Sequence, residues 1–143
     1  MLNSKCRLRQ MYALFGLVAF LISPPNSLSA QPPSEISLAS DGQARMPVIV
    51  SPDASPDVRA SAAELADYLG RISGATFRVE EGDAAAGIVV GLVSNFTNLP
   101  FAVDFESDVV SRDQYLLRTT DNGLYLLGTT SAAVQCAVWE FLH

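Results

Sequence analysis

Val58, Ala62, Leu65, Leu69 and Ile72 recur at alternating four- and three-residue steps, the spacing of one helical face. Arg59, Glu64, Asp67 and Arg71 fall on the opposite side. Ser55 can cap the first free amides, and Pro56 suits the first helical position because its missing N–H would have no partner there. Gly74 supplies the left-handed residue that ends a helix. The pattern predicts a helix over 55–74 whose single apolar face needs covering.

The cover comes from segments of strand character. PVIVS at 47–51 and IVVGL at 88–92 are continuous apolar runs, which suit strands covered on both faces. Gly91 marks a point where another group approaches the backbone closely. A short strand is expected at 36–38, ended by the turn pair Asp41-Gly42. At 76–80, Phe77 and Val79 alternate with polar residues, the pattern of a half-buried strand. Residues 95–111 show little regular pattern and are expected to form a surface loop. The segments 114–119 and 124–127 flank Asn122-Gly123, a hairpin signal because both residues tolerate positive φ. Gly128 ends the last strand, and Thr129, Thr130 or Ser131 can cap a final helix with Val134, Val138, Phe141 and Leu142 on one side. The order is strand, helix, strand, strand, loop, hairpin, helix. It predicts an α+β fold: a mixed, largely antiparallel sheet with two helices packed on one face.

The first thirty residues follow a different pattern. Lys5, Arg7 and Arg9 precede an apolar run of twelve residues, Met11 to Ile22, and a polar stretch of small residues leads to Ser29 and Ala30. This is the layout of a secretory signal peptide over 1–30, and the run is too short for a membrane anchor, which needs about 20 apolar residues. The expected location is secreted or periplasmic, with no membrane association after cleavage. Residues 31–143 are then one domain large enough for a single core. Cleavage leaves six arginines against fifteen acids, a net charge near −9, which argues against a nucleic-acid partner. Cys6 leaves with the signal, and Cys136, set among apolar residues, is expected to be a small buried hydrophobe.

Candidate chemistry is sparse. The sole histidine is His143, so a histidine-based triad or zinc cluster lacks a secure base or ligand. GDAAAG at 82–87 lacks the lysine and hydroxyl of a phosphate cradle. Asp104, Glu106 and Asp108 are spaced by two and would share a side if extended, but the segment lacks the glycine and terminal Glu of a calcium loop, so a solvated acidic loop is expected. Glu80, Glu81 and Asp83 suit a charged strand end and turn, and Asp53 and Asp57 suit a helix N-terminus. Asn95-Phe96-Thr97 matches the N-glycosylation sequon. Tyr68, Tyr115, Tyr125 and Trp139 could form a sugar-stacking platform, although places on helices and strands favour core or inter-domain packing. No catalytic, cofactor-binding or metal-ligating residue is assigned, and no cofactor is expected.

The run of motifs resembles a known domain. The strand PVIVS, the helix segment at 62–74, the strand at 88–91, the hairpin strand GLYLLG at 123–128 and the helix segment AVWEFL at 137–142 resemble the N-terminal domain of α-glucuronidases. They are also similar to the accessory domain preceding the barrel in β-N-acetylhexosaminidases. The resemblance implies a mixed sheet backed by two helices and packed in cis on a catalytic (β/α)8 barrel, which carries the catalytic carboxylates. It implies a non-catalytic accessory domain of a secreted glycoside hydrolase that degrades polysaccharide such as xylan. The alternative is a small exported carbohydrate-binding module acting alone, with polysaccharide as its partner. The lead into the last helix, Thr129-Thr130-Ser131-Ala132, departs from the family pattern, and the family's continuation beyond that helix is missing, which implies a chain incomplete at its C-terminus.

Overall fold

The computed structural model describes residues 35–105 and 113–143. The expected signal peptide, Glu106 and Asp108 therefore lie outside the described residues. Helix α1 spans Pro56–Ser73, with Ser55 accepting from the Val58 amide at its start and Gly74 in left-handed backbone, φ 72°, at its end. These are the predicted caps. Helix α2 spans Ser131–Leu142, and Thr130, among the three predicted candidates, is its cap, accepting from the Ala133 amide.

The described residues form seven strands: β1 Ala39–Ser40, β2 Gln43–Ala44, β3 Val48–Val50, β4 Val79–Glu81, β5 Gly87–Leu92, β6 Tyr115–Thr120 and β7 Gly123–Gly128. The first two form a small antiparallel hairpin about Asp41-Gly42, whose φ values of 54° and 71° are those of a tight primed turn. The predicted strand at 36–38 is thus displaced onto the next two residues. The other five form one sheet in the order β4-β3-β5-β7-β6.

That sheet is mixed, as expected, but it is not largely antiparallel. β3–β4, β3–β5 and β5–β7 are parallel, and only β6–β7 is antiparallel. Parallel strands ordinarily need a crossover of a dozen or more residues, and a stretch as short as that between β4 and β5 would ordinarily forbid one. It does not, because the strand it crosses is only three residues long. A rise of about 10 Å is within reach of residues 82–86, which extend to roughly 17 Å. The link passes over Ile49: an added Cβ at Gly82 or Gly87 would meet that side chain at 2.9 or 2.8 Å.

Both helices pack on one face, as predicted. Val58, Ala62, Leu65 and Leu69 of α1 and Val134, Ala137 and Val138 of α2 bury Val48, Val50, Ile88, Val90, Leu124 and Leu126. The opposite face presents Ile49, Val89, Tyr125 and Leu127, and it is covered as well, by Phe96 with Leu99, Phe101 and Val103. The first part of the expected surface loop is therefore a lid on the sheet. Phe101 stands edge-on to Tyr125 with ring centroids 4.9 Å apart, and the Arg118 guanidinium lies 4.4 Å over Phe101. Covering on both faces explains why β3, β5 and β7 read as unbroken apolar runs. The close approach expected at Gly91 is made by the Phe96 ring, 2.8 Å from where a Cβ would stand.

Two local expectations fail. Asn122 and Gly123 are not among the residues of positive φ; the two-residue turn is Asp121-Asn122, and Gly123 is already in β7. There its added Cβ would sit 2.1 Å from the Gly87 carbonyl oxygen, so close strand packing is what requires the glycine. The predicted half-buried strand at 76–80 begins later, at Val79, as a fully exposed edge, while Phe77 is buried just before it.

Candidate functional site

The carboxylates singled out by sequence do not converge. Glu81 is paired with Arg59 at 2.8 Å, across the end of α1 and β4. Asp83 accepts from the Ala85 amide and shapes the turn ahead of β5. Asp57 lies in the first turn of α1, where the helix dipole favours negative charge. Asp104 is exposed, and its two expected companions lie outside the described residues. Among the described residues no three His, Cys, Asp or Glu side chains gather in the way a metal ion would need.

Polar side chains at the ends of β3 and β5 satisfy one another. Ser51 Oγ donates to the Asn95 carbonyl at 3.4 Å, and Asn95 Nδ2 donates to the Asp53 carbonyl at 3.3 Å. The two helices, which both start at this end, are joined by Ser55 Oγ and Ser131 Oγ at 3.2 Å. These contacts set the loops and the helix starts, and among the described residues no buried side-chain nitrogen or oxygen lacks a hydrogen-bond partner. Tyr125 is buried beneath the lid. Burial pushes its phenol up, against a smaller opposing hydrogen bond with Thr120, and the hydroxyl donates to the Ala84 carbonyl at 3.2 Å.

What stands out instead is the outer side of the helix layer. Ile72, expected on the buried face of α1, is 74% exposed in the last turn of that helix. Tyr68, one turn earlier, is 40% exposed, and Trp139 on α2 is 47% exposed. Tyr68 and Trp139 line a groove of about 410 Å³ with Glu64, Leu142 and His143. Arg71 lies 5.2 Å from the Tyr68 ring centre, and His143 Nδ1 is 2.7 Å from the Trp139 carbonyl. Of the four aromatic residues singled out by sequence, Tyr125 alone is a core residue; Tyr115 is exposed on the edge strand β6. Cys136, expected to be buried, is exposed, because Ala133 and Ala137 rather than Cys136 face the sheet. The signal for this face in the sequence was limited to Tyr68 and Trp139, aromatic residues placed on helices.

A second feature is a cleft of about 400 Å³ between the β1–β2 hairpin and edge strand β4, lined by Gln43, Arg45, Pro47, Thr76, Arg78 and Glu80. Sequence reading passed over its two arginines because they are far apart in the chain. Among the described residues no helix is long and apolar enough to cross a membrane. In comparisons with known proteins the chain matched no family model and no curated protein.

Proposed function

We propose that residues 31–143 form a non-catalytic accessory domain of a secreted glycoside hydrolase of the α-glucuronidase or β-N-acetylhexosaminidase kind. It packs on a catalytic barrel carried by the same polypeptide and takes part in polysaccharide degradation by holding that barrel and bordering its substrate path. The observation that carries this reading is the exposed pair Tyr68 and Trp139, which share a groove on the two helices with Leu142. Aromatic and aliphatic groups gathered on one face mark an interaction surface, and aromatic residues are enriched at the centres of such surfaces. The two-helix layer on a mixed sheet is in keeping with the resemblance, and the scattered carboxylates of the described residues are in keeping with chemistry done elsewhere. The test is the reading frame of the gene beyond the His143 codon. The proposal expects it to continue into a barrel-sized segment; a stop codon at that point contradicts it.

A second reading, an exported carbohydrate-binding module acting alone, draws on the same rings. Tyr68 and Trp139 line one groove with Glu64, so a sugar could stack on an indole while its hydroxyls meet a carboxylate. Retention on xylan or chitin affinity gels, lost in Trp139→Ala, supports that reading; no retention across such a panel contradicts it.

A further inference from the structure

The chain is strongly acidic, yet two arginines form no ion pair among the described residues. Among the described residues Arg59 pairs with Glu81, Arg71 with Asp67, and Arg118 lies over the Phe101 ring. Arg45 and Arg78 have neither a carboxylate partner nor a ring, and both line the cleft between the β1–β2 hairpin and β4. They arrive from opposite sides. Arg45 follows β2, where its amide donates to the Leu38 carbonyl at 2.9 Å and its guanidinium is held by Ser40, with Nε donating to Ser40 Oγ at 2.7 Å. Arg78 precedes β4, where its carbonyl accepts from the Val48 amide at 2.8 Å. One guanidinium is thus steadied by a hydroxyl that in turn donates to Asp41 Oδ2 at 3.4 Å, which leaves it donors to spare, and the other forms no ion pair among the described residues.

Glu80 lies on the same side of β4 as Arg78, two residues on, and forms no ion pair within 4 Å with either arginine. The cleft therefore carries two positive groups, one negative group and the neutral donors and acceptors of Gln43 and Thr76. Its volume falls in the range of about 300–1,000 Å³ usual for small-ligand sites. A fully anionic ligand such as phosphate would meet Glu80 unfavourably. A ligand with one carboxylate and several hydroxyls matches the whole set, since guanidinium groups take carboxylates in paired hydrogen bonds and a carboxylate side chain accepts from hydroxyls.

We propose that this cleft binds an acidic saccharide, with Arg45 and Arg78 taking the sugar carboxylate and Glu80 accepting from a ring hydroxyl. The carboxylate site rests on the two arginines; a saccharide as its carrier rests on the accessory-domain reading above.

Calorimetry on the full chain in its exported form tests the inference, with trigalacturonate, uncharged xylotriose and inorganic phosphate as probes. Trigalacturonate is expected to bind, more weakly as salt is raised, with xylotriose silent and phosphate weaker. Arg78→Gln, at an exposed position outside the core, is expected to lower the trigalacturonate affinity about tenfold or more with an unchanged melting temperature. Arg45→Gln should do the same, and Glu80→Gln should weaken the saccharide while strengthening phosphate. Equal binding of the acidic and uncharged sugars, an affinity untouched by Arg78→Gln, or no heat with trigalacturonate would each overturn the proposal. Phosphate binding as tightly as the saccharide would overturn the saccharide assignment. These outcomes are separate from the reading frame beyond His143: a frame that continues into a barrel with a silent cleft removes this inference alone, and a stop codon with a working cleft removes the accessory-domain reading alone.

Discussion

Tyr125 concentrates much of the second core into one side chain, with its ring under Phe101 and its hydroxyl on the Ala84 carbonyl. Because burial raises its pKa, the folded state holds the phenolic proton more tightly than the unfolded chain does. The stabilisation is fully present below the unfolded value of about 10 and is lost as pH rises through the higher folded value. Urea midpoints measured from neutral to strongly alkaline pH should therefore fall more steeply for the native chain than for Tyr125→Phe, which at neutral pH loses about 1 kcal/mol; parallel slopes would contradict this. Two glycines make a second residue-scale contrast. Gly123→Ala drives a Cβ to 2.1 Å from the Gly87 oxygen and should cost about 3 kcal/mol or more, whereas Gly42→Ala meets open space and should cost only the left-handed strain, about 1–2 kcal/mol, in the same denaturation assay. The Asn-Gly pair was legible as a turn signal, but the reason for the glycine was not. Its neighbour Gly87 lies 36 positions earlier, and nothing local announces a contact between two backbones.

At the scale of elements, local signals carried the helices and misled on the sheet. Both helix starts were legible because caps act within three residues: Ser55 reaches Val58, and Thr130 reaches Ala133. Thr130 also donates to Asp113 Oδ1 at 2.6 Å, tying α2 to the chain before β6. Its removal should therefore cost more than that of Ser55, whose capping bond is longer at 3.4 Å. Thr130→Ala is expected to lose about 1–2 kcal/mol and Ser55→Ala about 1 kcal/mol or less by urea denaturation, and the reverse order would contradict the account. Strand direction was not legible. A link of a few residues between β4 and β5 ordinarily means an antiparallel turn, and only the shortness of β3 lets it run back as a parallel crossover over Ile49. The lid at 96–103 was missed for a related reason: Phe96, Leu99, Phe101 and Val103 follow no single period, since they cover a sheet face without joining its ladder.

For the whole molecule, the two-sided burial of the sheet and the one-sided burial of the helices set where function can lie. The sheet's lower face is closed by the lid and its upper face by the helices, and among the described residues the groove of Tyr68 and Trp139 and the cleft beside β4 are two surfaces open to a partner. Neither was fully legible in the sequence. Tyr68 and Trp139 were visible as aromatic residues on helices, but their shared groove depends on how α1 and α2 lie side by side, and Arg45 and Arg78 meet only because β4 returns next to β3. Trp139 is the sole tryptophan of the chain and stands at the centre of the proposed docking face, so its fluorescence reports that face without labelling. The most direct measurement is the quenching of Trp139 by acrylamide in residues 31–143 and in the same residues joined to the barrel that the accessory-domain proposal expects to follow them. The account predicts ready quenching in the first case and strong protection with a blue-shifted emission in the second. Equal quenching in both would contradict a docking role for the helix face.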